Sequence, residues 1–236
     1  MKVLVAGATG NLGKPMVRAF KERGYWVRAL ARNAAKLEDI QGSIDDVFLG
    51  DATRNDTLSG LCDDIDIVFS ALGRTLSLRT TKEKGGFRSV DYIGNNNLLE
   101  VAKKASIKKF LYVSVFGPHL FPDLEYVKAH EDFVTELRAS GLDYAVIRPT
   151  AFFSTLGETL RLARSGRAFV IGDGQKRINA IHELDLAEVC VAAVTNQQHE
   201  IPVGGPIIYT RAEIAQLGFN ALKRPGKIHS HTAVVC

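Results

Sequence analysis

Lys2-Val3-Leu4-Val5-Ala6 runs straight into Gly7-Ala8-Thr9-Gly10-Asn11-Leu12-Gly13, after which Leu12, Val17 and Phe20 recur at helical spacing until Gly24. The order is strand, tight turn, helix. Glycine is needed in such a turn where the chain reverses sharply, where backbone must approach a ligand closely, and where the helix must lie tight on the strand. The unpaired N–H groups at the start of that helix, together with the positive end of its dipole, favour an anion above the turn. Glycines at this spacing between a strand and a helix therefore predict a dinucleotide pyrophosphate site, whereas the same pattern outside that context reads as a turn without a ligand.

Working outward, apolar runs predict further strands at Tyr25 to Ala31, Asp45 to Leu49, Ile65 to Ala71, Lys109 to Ser114 and Tyr144 to Arg148. Helix-like stretches separate them near Ala34 to Asp39, Asn55 to Leu61, Tyr92 to Ala105 and Leu124 to Ser140, the last stopped by Gly141. Repeated strand-helix-strand order implies an α/β fold, a doubly wound parallel sheet of Rossmann type with helices on both faces. After Pro149 the regularity weakens. A helix near Leu156 to Ser165, a hairpin turning at Asp173-Gly174, and helices near Leu184 to Thr195 and Arg211 to Leu222 are expected there. With no linker, repeat or low-complexity segment, the chain reads as a single domain over residues 1–236, with its core over about 1–150 and a small substrate-side lobe over about 151–236.

Composition narrows the classes. A chain of 236 residues, 46% hydrophobic and 24% charged, can bury a substantial core. The opening strand breaks at Gly7, too early for the apolar region of a signal peptide, and no run approaches the roughly 18 apolar residues of a membrane span. A cytoplasmic protein without membrane contact is expected. Cys62, Cys190 and Cys236 lie far apart, which argues against disulfides and metal sites. The net charge of +4 is dispersed, so nucleic acid is not an expected partner. The densest basic stretch holds Arg74, Arg79, Lys82, Lys84 and Arg88, and reads as a solvated loop or as a flap over an anionic ligand.

The end of the second strand bears on which dinucleotide binds. An acidic residue about 20 positions past the glycines would accept from a ribose 2′-hydroxyl, while a 2′-phosphate calls for arginine. Here the strand ends Ala29-Leu30-Ala31-Arg32, with no carboxylate. A guanidinium pairs with a phosphate through two parallel hydrogen bonds, so Arg32 favours NADP(H) over NAD(H). The competing reading of Arg32 is a surface residue at the start of a helix.

The glycine spacing and Arg32 occur in order with Gly50-Asp51-Ala52, Ser70-Ala71-Leu72-Gly73, Leu111-Tyr112-Val113-Ser114, Ser140-Gly141-Leu142, Ile147-Arg148-Pro149-Thr150 and Ile181-His182-Glu183-Leu184-Asp185-Leu186-Ala187. From about Lys2 to about Glu213 the chain resembles the atypical short-chain dehydrogenase/reductases, closest to the NmrA-like and isoflavone-reductase-like proteins. The resemblance implies that Gly7, Thr9, Gly10, Asn11, Leu12 and Gly13 hold the pyrophosphate, Arg32 the 2′-phosphate, and Asp51 with Ala52 the adenine. It implies that Ala71, Leu72 and Gly73 line the nicotinamide ribose, with Thr150, Ala151 and Phe152 near the nicotinamide ring.

Hydride transfer to a carbonyl leaves an alkoxide to be protonated, and reductases of this kind typically use a tyrosine whose pKa a nearby lysine lowers. Ser114 stands where the family often places a substrate-orienting hydroxyl, and Tyr126 near the start of the long helix. The position that is lysine in related reductases is His130. Lys128 lies two positions away, roughly 200° round the helix, and cannot substitute. His130 can support Tyr126 or itself donate a proton; equally, the pair can be structural. His182 and Asp185, at i and i+3 of a helix start, suit capping. One expectation is an NADPH-dependent reductase of a small carbonyl or unsaturated compound, with Phe152, Phe153 and Leu156 as pocket walls. A second is a non-catalytic dinucleotide sensor acting through a protein partner, which the altered lysine position favours. A third, a sugar-nucleotide epimerase or dehydratase, would need the intact Tyr-to-Lys spacing and a larger lobe.

Overall fold

The computed structural model describes residues 1–74, 86–157, 161 and 163–231. Its elements in chain order are β1 (Lys2–Ala6), α1 (Gly13–Glu22), β2 (Trp26–Ala31), β3 (Asp46–Leu49), β4 (Ile67–Ser70), α2 (Asn95–Lys104), β5 (Lys109–Val113), α3 (Glu125–Ala139) and β6 (Tyr144–Pro149). They continue with β7 (Ala151–Phe152), β8 (Arg167–Ile171), β9 (Arg177–Ile178), β10 (Ala180–Ile181), α4 (Glu183–Ala192), β11 (Glu200–Val203), β12 (Tyr209–Thr210), α5 (Arg211–Ala221) and β13 (Lys227–His231). The chain divides into two compact units, one of Met1–Pro149 with Leu184–Pro202, the other of Thr150–Glu183 with Val203–Cys236. Residues 184–202 thus return to the first unit, beyond the boundary near 150 drawn from the sequence.

The first unit is built on a seven-stranded sheet in the order β11-β6-β5-β4-β1-β2-β3. Every pairing from β3 across to β6 is parallel. Alternate side chains along β1 and β4 go to opposite faces, as the pleat requires. Leu4, Ala6 and Val68 join Leu98 and Leu99 of α2 and Phe133 and Leu137 of α3 in one core cluster. On the opposite face Phe20 of α1 meets the ring of Phe69 edge-on at 5.9 Å. Arg23, the C-cap of α1, pairs there with Glu188 of α4. Helices therefore cover both faces, and the doubly wound fold expected from the strand-helix alternation is the one observed.

α1 follows from its sequence: Gly13, Met16, Val17 and Phe20 form one buried stripe at i, i+3, i+4 and i+7. Pro15 falls in the first turn, where its missing N–H costs nothing, and Gly24 at φ +80° turns the chain out of the helix.

In the first unit two local expectations are corrected. Asn55 to Leu61 is not a helix but a 3₁₀ turn at Asn55–Thr57 followed by further turns. The Thr57 hydroxyl accepts from the Asp51 N–H (2.9 Å) and so ties the segment back on itself, and Gly60 takes φ +77°. Leu58, Leu61 and Cys62 pin these turns into the core. The second correction concerns α2. Its helical path begins earlier than Tyr92, and Arg88–Gly94 is wound as a π-helix before regular α2.

The second unit holds three two-stranded pairs: β7 with β10 (parallel), β9 with β12 (antiparallel) and β8 with β13 (parallel). The hairpin expected at Asp173-Gly174 does not form. The chain turns there, with Gly174 at φ +76°, but β8 and β9 on either side pair with different strands. α5 starts in a capping box in which the Thr210 hydroxyl accepts from Glu213 N–H (3.1 Å) and the Glu213 carboxylate from Thr210 N–H (2.6 Å). Ala163, Ala168, Val170, Ala215 and Phe219 form this unit's small core. The helix expected at Leu156 to Ser165 lies partly outside the described residues, as do Arg79, Lys82 and Lys84 of the basic stretch and Cys236.

Candidate dinucleotide site

Strand order reverses at β1, whose neighbours are β2 on one side and β4 on the other, and a ligand crevice belongs beyond the carboxyl ends of strands at such a point. A cleft of about 310 Å³ lies there. Gly7, Thr9, Gly10, Arg32, Asp51, Ala52, Ala71, Leu72 and Gly73, all expected from the sequence, line it, along with Leu30, Ala31, Gly50, Thr53, Arg74 and Val90. Asn11, Leu12 and Gly13 carry the turn on into α1, and Thr150 belongs to the second unit. The Thr150 hydroxyl there donates to the Asn179 carbonyl, and its N–H to Val203 O (3.0 Å).

The glycines are required by geometry. Gly7 sits at φ +81°, and a Cβ on it would lie 2.7 Å from the Ala71 carbonyl oxygen. A Cβ on Gly13 would overlap the Gly7 carbonyl oxygen. Gly10 N–H donates to Gly7 O at 2.9 Å, closing the turn. α1 has no acidic residue in its first turn and its N-cap, Leu12, offers no side-chain cap, so although the Lys14 N–H is bonded to the Gly10 carbonyl (3.1 Å) the positive end of the helix dipole has no side-chain anion over it. Arg32 is exposed on the cleft rim with no salt bridge among the described residues, and the neighbouring Asn33 side chain caps the next turn by accepting from Ala35 N–H (3.0 Å). Opposite, Asp51 turns one carboxylate oxygen onto the N–H (2.9 Å) and hydroxyl (2.8 Å) of Thr53. Asn97 fixes the Ala52 carbonyl at 2.9 Å. The set fits a dinucleotide: a backbone cradle no side chain could share, a helix end without a side-chain cap, and a guanidinium with no salt bridge among the described residues.

The far wall of the cleft is held from behind. Asn95 donates to the carbonyls of Leu72 (3.3 Å) and Asp91 (2.9 Å) and accepts from the Ser70 hydroxyl (2.5 Å). Asp91, 1% exposed, accepts from Arg74 N–H at 3.3 and 3.2 Å and lies 3.3 Å from His130 Nε2. His130 Nδ1 meets the hydroxyl of fully buried Tyr112 at 2.5 Å. Burial first, and the charge of Asp91 next, push the Tyr112 phenol well above its ordinary range. The phenol therefore keeps its proton, and His130 bridges it to Asp91 through its two ring nitrogens. Asp91, Asn95 and Tyr112 were not singled out from the sequence, since no local pattern separates a buried aspartate in a helix from a solvated one.

The three residues expected at the chemistry do not form one constellation. Ser114, 4% exposed, donates to Glu131 Oε1 at 3.1 Å. His130 packs edge-on to the Tyr126 ring at 6.4 Å between centroids, and its two nitrogens go to Tyr112 and Asp91. Burial raises the pKa of the Tyr126 phenol, with no cation acting against it. Lys128 points to Asp123 at 3.9 Å. Tyr126 is thus held as a neutral phenol.

A parallel sheet with a glycine cradle at its switch point and a bare helix end over it defines a nucleotide-binding Rossmann protein. The chain belongs to the NAD(P)H-binding family, whose model matches residues 7–197. It is 29% identical over 249 residues to the divinyl chlorophyllide a 8-vinyl-reductase, chloroplastic, of Arabidopsis thaliana, covering 96% of this chain and 59% of that one. It is also 29% identical to its Cucumis sativus counterpart (86% and 52% covered), and 27% identical to the photosystem II assembly factor Ycf39 of Synechocystis (92% and 66% covered). The chain spans about half the length of the vinyl-reductases it matches. A UDP-glucose 4-epimerase from Thermotoga maritima superposes with a TM-score of 0.86 at 17% identity, covering 100% of this chain and 87% of that one, a likeness of fold. The resemblance to the atypical short-chain dehydrogenase/reductases is thereby borne out. No helix among the described residues is long and apolar enough to cross a membrane.

Proposed function

We propose that the protein is an NADPH-dependent reductase acting on a small carbonyl or unsaturated compound. The observation that carries this reading is the cleft at β1 and β4, where the glycine cradle stands beside Arg32, which has no salt bridge among the described residues, and no carboxylate ends β2. Arg32 would grip the 2′-phosphate of NADP(H), Asp51 and Ala52 the adenine, and the open end of α1 the pyrophosphate. When bound, the nicotinamide would supply a hydride. The neutral phenol of Tyr126 holds the matching proton, which goes to the carbonyl oxygen of a ketone or to the second carbon of a reduced double bond. Relatives named for reducing an 8-vinyl group support an unsaturated carbon–carbon bond as a substrate class. A cytoplasmic site of action belongs to the same proposal, although those relatives are described as chloroplastic.

A second reading, a dinucleotide sensor working through a protein partner, is favoured by one observation: His130 and Ser114 are both engaged away from Tyr126. Relatives named as an assembly factor accord with it. Titration with NADPH and NADH, followed by nucleotide fluorescence, tests the cofactor. Oxidation of NADPH with a panel of enones, aldehydes and vinyl-bearing tetrapyrroles then separates the readings. Turnover that is lost in Tyr126→Phe supports the reductase, and tight binding with no turnover across the panel supports the sensor.

A further inference from the structure

The geometry points to Asp91 as a positioning residue that sets the nicotinamide half of the cleft, with His130 as the residue that orients it. This rests on reading the cleft as a dinucleotide site. A carboxylate with 1% exposure must be hydrogen-bonded or neutralised. Asp91 directs its oxygens at the Arg74 N–H, 3.3 and 3.2 Å away, and Arg74 directly follows Ala71, Leu72 and Gly73 on the cleft wall. A Cβ on Gly73 would lie 3.3 Å from Asp91 Oδ1, so the wall rests directly on the carboxylate. Asn95 holds the same wall one step earlier, through the Leu72 carbonyl at 3.3 Å. Asp91 and Asn95 stand where π-winding passes into α2, a distortion that recurs at functional sites.

His130 completes the device. Its Nε2 is 3.3 Å from Asp91 Oδ1, and its other nitrogen is fixed by the Tyr112 hydroxyl at 2.5 Å. The chain of groups runs from the fully buried β5 through α3 to the loop after β4. It ends in the core, so it is not a path for protons to solvent. What it transmits is position: α3 and the cofactor loop are held in one register by a carboxylate that touches both. The histidine at the usual lysine position is thereby a support for the cofactor loop, not the activator of Tyr126.

The adenosine half of the cleft, formed by Gly50, Asp51, Ala52 and Thr53, lies outside this chain of groups, which provides the test. Asp91→Asn keeps the volume but removes the charge and one of the two acceptor oxygens, so that the Arg74 N–H and His130 Nε2 are left to share a single neutral, weaker acceptor. Binding of NADPH and of 2′,5′-ADP is measured on the same samples. The expected result is a loss of about tenfold or more in NADPH affinity with 2′,5′-ADP affinity kept within about twofold. Equal losses for both ligands, or no loss for either, overturn the proposal. Should Asp91→Asn fail to fold, the comparison passes to His130. His130→Leu removes the donor to Asp91 and should lose NADPH affinity selectively, and His130→Gln restores a donor and should recover most of it. Equal affinities in these two variants overturn the proposal as well. A wild-type chain that binds neither NADPH nor 2′,5′-ADP refutes the dinucleotide reading itself, an outcome distinct from both.

Discussion

The guanidinium of Arg148 closes on the carboxylate of Glu131 with two parallel hydrogen bonds, Nη1 to Oε1 at 2.7 Å and Nη2 to Oε2 at 3.1 Å, which tie β6 to α3. Its Nε turns to Glu200 of β11 at 2.5 Å, and Nη1 also reaches the Val115 carbonyl at 3.1 Å. Glu131→Ala removes the bidentate partner of a largely buried cation. It should destabilise the fold by about 2 kcal/mol, which thermal unfolding would register as a fall of about 4–8 °C.

Glu200 fixes a pH dependence. Burial pushes its carboxyl up, but hydrogen bonds from Arg148 and Arg138 outweigh this and hold it below the usual range. A depressed folded pKa contributes stability above the unfolded pKa, and that contribution is lost as pH falls through the folded value. The unfolding midpoint should therefore drop between about pH 5 and about pH 3. In Glu200→Gln the midpoint should be lower near neutrality and fall less over that window.

Gly7→Ala forces a side chain onto a backbone at φ +81° and against the Ala71 carbonyl. The expected cost is about 1–3 kcal/mol in stability, accompanied by loss of NADPH binding. Denaturant unfolding and nucleotide titration on the same sample check both.

Arg32→Ala should leave NADH affinity unchanged and lower NADPH affinity by about 10- to 100-fold, the worth of about 1.5–3 kcal/mol for hydrogen bonds to a charged group. An equal effect on the two nucleotides would mean that Arg32 does not meet the 2′-phosphate.

Burial holds the Tyr126 phenol protonated beyond the ordinary tyrosine range. A reductase that draws its proton from Tyr126 should show a turnover rate flat from about pH 6 to about pH 9, declining only above about pH 10. A rate that follows a group titrating near neutrality would assign the proton elsewhere.

Strong local patterns made much of this readable in advance. β1, the glycine turn and α1 stand where Gly7, Gly10, Gly13 and the Met16, Val17, Phe20 stripe place them, because turn geometry and helical period are short-range properties. The apolar runs of β4 and β5 likewise announce strands buried on both faces. Expectations failed where distant partners decide. Asn55 to Leu61 has a helix-like composition, yet Thr57 bonds back to Asp51 and the core claims Leu58 and Leu61. Asp173-Gly174 is a good hairpin turn, yet β8 finds its partner in β13, more than fifty residues along the chain.

The candidate site divides the same way. Its glycine cradle, the arginine that follows β2 and the class of fold were determined by sequence alone, because each depends on the few φ angles and side chains of one strand-turn-helix unit. The partners of His130 were decided only in three dimensions. Its position in the chain suggests a partner for Tyr126, four residues earlier on α3. Tertiary packing instead brings Tyr112 from β5 to one ring nitrogen and Asp91 from the segment before α2 to the other. A buried imidazole takes whichever acceptor and donor the fold delivers to its two edges, and those are set by helix-on-sheet packing among residues far apart in sequence.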